Sequence, residues 1–327
     1  MCVDGEKIYD MTGFKHVYGH NKTKSALAAI LKLSSEQGDF PRAHILTGEK
    51  GIGKKTLARA FAKALNCLER TTDDPEPCGE CLSCNAFESG NHPDTIFVSA
   101  AQTVNIGVND VREQLIHPMS TKPFRYKYKV FIVDKAETLT PSAQNALLKT
   151  IEEPALFGVF LFLTPNLMNL LPTIISRCVV HKLHHLTERQ VAEGLNAALH
   201  NLPEKPSTEK IQHLAELSGG NLGRALEMAA DPKHHQMLEL VSHVTKNIKT
   251  MDILDVLELA PQFTGYKENI SDLLDMLYIS LGKSREPAGI SYISAIPQAK
   301  ESLMQNGNFQ LTIELMLLKV AGKVVVK

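Results

Sequence analysis

The feature that most constrains this chain is a strand that runs straight into a glycine-rich turn and then into a helix. Arg42-Ala-His-Ile-Leu-Thr47 has the apolar pattern of a buried strand, and Gly48-Glu-Lys-Gly-Ile-Gly53-Lys54-Lys55-Thr56 follows at once. The run fits G-x-x-x-x-G-K-[ST] at every fixed position but the last. Such a loop aims backbone N–H groups and a helix N-terminus at a β-phosphate. Gly48, Gly51 and Gly53 permit the tight turn, and Lys54 reaches toward the β- and γ-phosphates. Position 55 should carry a hydroxyl for Mg²⁺, and here it is lysine. Thr56 does not replace it, because one step along a helix turns a side chain by about 100°.

A second departure falls on the same chemistry. Lys129-Val-Phe-Ile-Val-Asp134 reads as a strand ending in an acid, with Asp134 placed to hold Mg²⁺ through water. The next position in a hydrolysing site carries a glutamate that polarises the attacking water; here it is Lys135. Glu137, further along, is a poor substitute, because the geometry at a γ-phosphate is tight. The site is therefore expected either to stay empty or to bind ATP or ADP with weakened Mg²⁺ dependence. Lys55 and Lys135 would then supply positive charge where the metal would sit.

The rest of the chain gives this loop an α/β setting. Up to about Leu183, short apolar runs alternate with helical patterns. Strands are expected at Arg42–Thr47, Thr95–Val98, Lys129–Asp134, Val159–Thr164 and Cys178–His181. The fourth is wholly apolar until its last residue and reads as central and covered on both faces. Helices are expected from Lys54 to about Leu65, and from Pro141 to about Ile151 with Thr140 as N-cap. After Leu186 the strands stop. Thr187–His200, Ser207–Leu217 and Leu222–Ala230 read as short helices, and the remainder is helical, with breaks near Gly265, Pro287–Gly289 and Gly307. The stripe Leu273, Leu274, Leu277 and Leu281 reads as core. The expected domains are a parallel-sheet α/β domain over 1–185, a small helical lid over 186–232 and an all-α domain over 233–327.

Cys67, Cys78, Cys81 and Cys84 form C-x10-C-x2-C-x2-C. Four soft ligands suit tetrahedral zinc, and Gly79 suits the turn of a metal knuckle. An iron–sulfur cluster is the rival for C-x2-C-x2-C, but the fourth cysteine lies upstream and no Cys-Pro follows. A closed structural zinc, stapling an insertion over 67–84, is the expectation. Formal net charge is −1, so any DNA contact must come from a local patch. No apolar run reaches transmembrane length. The start, Met1–Lys7, lacks the apolar region of a signal peptide. A cytoplasmic location without membrane contact is expected, where disulfides are rare.

Together these motifs resemble bacterial clamp-loader subunits of the AAA+ class, the gamma/tau and delta-prime subunits of DNA polymerase III. The resemblance takes in Gly19-His20, the loop at Gly48–Thr56, the cysteine module and Ser142-Ala-Gln-Asn-Ala-Leu-Leu-Lys-Thr-Ile-Glu-Glu-Pro154. Thr164-Pro-Asn166, Ser176-Arg-Cys178 and Gly219-Gly-Asn-Leu-Gly-Arg224 complete it. It implies a RecA-like AAA+ domain, a helical lid and a helical collar that joins subunits. It implies that Arg177 is an arginine finger for the ATP site of a neighbouring subunit, where it would stabilise charge on the transferring phosphoryl group. Arg224 resembles the lid arginine that senses nucleotide, and Thr164 and Asn166 lie where the family places another sensor. Within the family, Lys55 and Lys135 point to the delta-prime type, which donates an arginine without a full ATPase cycle of its own. The final helix, Gln310–Lys319, resembles the end of the delta-prime collar. The alternative is an active ATPase of the gamma/tau type. The implied partners are gamma/tau and delta subunits, the sliding clamp and primer–template DNA. Arg112, Lys122 and Lys149 are the candidates for DNA phosphate contact.

Overall fold

Five short apolar segments pair into one parallel sheet: β1 (Ala43–Thr47), β2 (Thr95–Val98), β3 (Lys129–Val133), β4 (Gly158–Thr164) and β5 (Val179–Lys182). Their order across the sheet is β2-β3-β4-β1-β5. The computed structural model describes residues 13–36, 38–100, 105–200, 207–230, 232–282, 294–304 and 307–323. Ile45 lies opposite Phe162 on one side and Val180 on the other, and Phe131 lies opposite Phe160. Every residue of β1, β3 and β4 is buried, as strands covered on both faces should be.

The pleat sorts these residues into two cores. Ile45, Phe131, Val133, Phe160 and Phe162 enter one. Leu46, Val130, Ile132, Leu161 and Leu163 enter the other. Helices α1 (Asn21–Glu36) and α2 (Lys54–Asn66) cover the second core, through Leu27, Leu31, Leu57 and Phe61. Each fully buried phenylalanine or leucine contributes about 1.5–3 kcal/mol. The other core is covered by α4 (Val108–Val111), α5 (His117–Met119), α6 (Pro141–Glu152) and α7 (Pro172–Ile175). Between α4 and α5 the chain takes a π turn over Arg112–Ile116. Pro118 has no N–H to donate, and its ring crowds the carbonyl four residues back, which accounts for the wider turn. In α6, Thr140 Oγ1 accepts from the Ala143 N–H at 3.2 Å, the expected N-cap.

The strands match the sequence expectation to within a residue or two at each end. The short α3 (Leu82–Glu88), which begins in the cysteine module and runs past it, was not expected. Two compact units emerge: residues up to 205 with 221–223, and residues 206–220 with those from 224 onward. The first holds the sheet and α8 (Glu188–Ala198), whose N-terminus carries a Thr187–Gln190 capping box. The second holds α9 (Thr208–Leu217), most of α10 (Leu222–Ala230), α11 (Pro232–Asn247), α12 (Ile253–Leu259), α13 (Ile270–Gly282), α14 (Ala295–Met304) and α15 (Phe309–Val320). Leu273, Leu274, Leu277 and Leu281 are buried there, as expected of a core stripe. The expected break at Gly265 falls in a 3-10 stretch over Ala260–Asn269. The break at Gly307 separates α14 from α15. The break at Pro287–Gly289 lies outside the described residues.

Candidate functional site

The glycine-rich loop leaves β1 at Thr47 and enters α2 at Lys54, at the C-terminal edge of the parallel strands. Ligands of open α/β sheets bind at that edge. Gly51 and Gly53 take φ of 83° and 103°, in the region that a side chain would strain. The Gly48 N–H donates to the Thr164 carbonyl at 3.3 Å, which fixes the loop beside the end of β4. Thr164 is buried, and its hydroxyl donates to the Asn166 carbonyl at 3.0 Å. Asn166 is exposed, and its Oδ1 accepts from the Met168 N–H. These two polar residues thus stand next to the loop, as expected.

The Lys54 ammonium turns inward and donates to the carbonyls of Gly48 and Glu49, at 2.6 and 2.8 Å. Burial pushes its pKa down, while the charges of Glu137, Asp134 and Glu49 pull it up. Glu137 therefore lies close enough to act on Lys54, and among the described residues its buried Oε2 has no hydrogen-bond partner. Thr56 is half-buried in the first turn of α2.

Lys55 decides the chemistry. Its ammonium sits 3.9 Å from Asp134 Oδ2, both groups being half-exposed. The substituted residue therefore pairs with the acid that should serve the metal. Mg²⁺ demands an octahedron of oxygen ligands at about 2.0–2.1 Å. An ammonium cannot ligate, and it repels a second cation. Lys135 follows with φ of 55° and an exposed side chain, and its N–H donates to Asp134 Oδ1 at 3.0 Å. No carboxylate stands at that position. The residues present do not fit a Mg²⁺ ion held in the manner of a hydrolysing site.

Three supports of the loop had no assigned role in the sequence reading. His20 Nε2 lies 3.0 Å from the Ile52 carbonyl, a distance at which the Nε2–H tautomer donates to it. The Asn221 amide donates to the Lys50 carbonyl at 2.8 Å. The Gly223 N–H donates to the Gly51 carbonyl at 2.9 Å, and a Cβ on Gly223 would stand 2.5 Å from Gly51 Cα. His20, Asn221 and Gly223 belong to runs noted for their family resemblance. Nothing in their spacing reveals that they converge on one loop.

Arg177 follows α7 on the surface of the same unit. Its Nε donates to Glu152 Oε1 at 2.6 Å, and its Nη1 donates to the Thr173 carbonyl at 3.0 Å. The guanidinium is held at the end of α6 rather than inside its own loop. Arg224 lies in the helical unit and pairs with Asp275 at 3.4 Å, which also binds Lys300 at 2.8 Å. Arg112, Lys122 and Lys149 are all exposed. They lie in the π turn, in the loop after α5 and near the end of α6.

The four cysteines converge. The Sγ atoms of Cys67, Cys78, Cys81 and Cys84 all lie within 4.8 Å of one another. Cys67 to Cys81 is 4.0 Å and Cys78 to Cys84 is 3.9 Å. A tetrahedral zinc with bonds of about 2.3 Å requires sulfurs about 3.8 Å apart, so the donor set fits. Gly79 makes the knuckle turn at φ of 84°. Burial pushes the Cys81 thiol up, but hydrogen bonds from the N–H groups of Cys84 and Leu68 and with the thiols of Cys78 and Cys84 bring it down to about 7. Cys84 is fully buried, and burial pushes its thiol up. An ion pair between buried Lys63 and half-buried Glu88 ties α2 to α3.

The sequence profile of the family described as "DNA polymerase III, delta subunit" matches residues 23–187. The DNA polymerase III subunit tau/gamma of Haemophilus influenzae is 37% identical over 62% of this chain and 29% of its own length. The subunit tau of Bacillus subtilis is 28% identical over 86% of this chain and 47% of its own length. The subunit gamma of Buchnera aphidicola from Acyrthosiphon pisum is 31% identical over 76% of this chain and 64% of its own length. The chain thus spans less than two thirds of each of these relatives. The Thermotoga maritima RuvB Holliday junction branch migration motor superposes with a TM-score of 0.52 at 14% identity, covering 98% of this chain and 94% of that one. That likeness concerns the fold alone. Among the described residues, no helix is long and apolar enough to cross a membrane.

Proposed function

This chain belongs to the clamp-loader subunit family of DNA polymerase III, and from that premise we propose that it is a delta-prime type of subunit, which does not hydrolyse ATP itself. In this reading it joins gamma/tau and delta subunits in the loading of the sliding clamp onto primed DNA. Its catalytic contribution is Arg177, offered to the ATP site of a neighbouring subunit. The observation that carries the reading is the Lys55–Asp134 ion pair, where a hydroxyl, a metal and an acid would meet in a working site. The Arg177 guanidinium is meanwhile presented at the surface by Glu152. A neighbour's γ-phosphate would compete with Glu152 for it, and a fixed guanidinium there stabilises the charge of the transition state.

The helical unit would supply the collar. Neighbouring helices α12 and α15 expose Ile253, Leu254, Leu257, Leu311 and Leu315, a suitable apolar surface for a partner subunit. Arg112, Lys122 and Lys149 would track DNA phosphates. Cys67, Cys78, Cys81 and Cys84 would hold a structural zinc that pins their insertion to α2.

A second reading has two observations in its favour. The three relatives above are all named tau or gamma subunits, and Glu137 lies near Lys54. This chain would then be an active ATPase with Glu137 in the part of the missing carboxylate. Reconstitution with gamma/tau and delta separates the two. On the first reading, Arg177→Ala lowers turnover at the dependent site by about a thousandfold, while Lys54→Ala changes the DNA-dependent rate little. A large loss with Lys54→Ala and none with Arg177→Ala would support the second reading.

A further inference from the structure

We propose that the phosphate loop is a binding site for a metal-free nucleoside diphosphate, in which the Lys55 ammonium takes the place of Mg²⁺. The frame of the loop is intact. Gly51 and Gly53 hold the left-handed turns, and Lys54 begins α2. His20 and Asn221 hold the loop through the carbonyls of Ile52 and Lys50. The metal position is what has changed. Lys55 reaches the Asp134 carboxylate from the first turn of α2, at 3.9 Å. It spans the gap that a divalent ion would otherwise bridge, between the hydroxyl position and the acid.

Two consequences follow from charge. Lys54 and Lys55 together present two ammonium groups to an incoming polyphosphate, enough to offset most of a diphosphate's charge without a metal. A nucleotide that arrives with Mg²⁺ attached must bring a dication against Lys55, and Asp134 is already paired. The site therefore selects against the metal complex. ATP holds Mg²⁺ more tightly than ADP does, so ADP is the form that the loop retains. Lys54 must leave the carbonyls of Gly48 and Glu49 to meet the phosphates, and the charge-assisted bonds it gains are the stronger ones.

The inference rests on the reading of a non-hydrolysing site but needs no partner subunit, so it can fail or hold independently of reconstitution. The test is fluorescence titration of the isolated full chain with an N-methylanthraniloyl-ADP probe, in EDTA and in excess Mg²⁺. The expected result is saturable binding in EDTA that weakens severalfold in Mg²⁺. Lys55→Thr restores the hydroxyl; it should lose about tenfold in EDTA, the worth of one charge-assisted bond, and gain affinity in Mg²⁺. Far-ultraviolet circular dichroism confirms that this variant is folded. Binding of the parent chain only with Mg²⁺, or in neither condition, would overturn the proposal. So would a folded Lys55→Thr chain whose metal response matches the parent's.

Discussion

Two places in this molecule have the outline of a divalent-cation site, and they have diverged. The cysteine module has four thiols at the separations that zinc requires, with Cys81 drawn down to about 7 by neighbouring N–H groups and thiols. The phosphate loop has its glycines and Lys54, but an ammonium stands where Mg²⁺ would be ligated. Both lie at the ends of α2, its first turn in the loop and its C-cap at Cys67. One helix thus connects four converging thiols with a loop in which a lysine stands at the hydroxyl position. On the proposed reading, the binding frame of a loop and its capacity for hydrolysis are separable, the first resting on backbone shape and the second on the residues at 55 and 135.

The largest effect should come from the cysteine module. On the proposed zinc reading, removing the metal with a strong chelator, or replacing Cys81 by serine, should destabilise the first unit by on the order of 5 kcal/mol. That is less than for an isolated zinc finger, because the sheet still folds around it. Thermal unfolding followed beside zinc content checks this, and an unchanged transition in the metal-free chain would erase the contrast between the two sites.

A smaller effect should come from the altered loop. Gly223→Ala would press a methyl group into the Gly51 backbone, where the approach is 2.5 Å. Overpacking of this kind costs about 1–3 kcal/mol. Nucleotide affinity should fall while zinc content holds. An equal fall in both would mean that the two sites are not independent.

Acid should act on the sheet beneath the loop. His44 on β1 faces His181 on β5 at 3.2 Å, and burial, aided by the charge of His181, pulls its pKa from 6.5 down to about 3. The unfolded chain therefore takes up this proton first. The contribution to stability is complete above about pH 6.5 and is lost as pH falls toward 3, amounting to about 2 kcal/mol at pH 5. Urea unfolding at pH 7 and pH 5 reads the difference, and equal values would place His44 in contact with water.

What could be read before the structure was local. The strand pattern from Val159 to Thr164, the Thr140–Pro141 helix start and the four cysteines each declare themselves within a short window. Lys55 and Lys135 likewise stand out against a fixed motif. The tertiary part was not readable. The pairing of Lys55 with Asp134 depends on the approach of β3 to β1 through β4. The contact of Gly223 with Gly51 joins residues 172 positions apart. The π turn at Arg112–Ile116 reflects Pro118 acting on a helix whose other residues give no warning. Glu152 lay inside a recognised run, yet its hold on Arg177 appears only when α6 and α7 pack.

On the proposed reading this chain keeps the frame of a nucleotide site and does not hydrolyse ATP itself. Single-turnover hydrolysis of radiolabelled ATP by the isolated full chain in Mg²⁺ tests it most directly. The expected result is no phosphate release above the uncatalysed background, and the same trace from Lys54→Ala. Release by the parent chain that disappears in Lys54→Ala would contradict it.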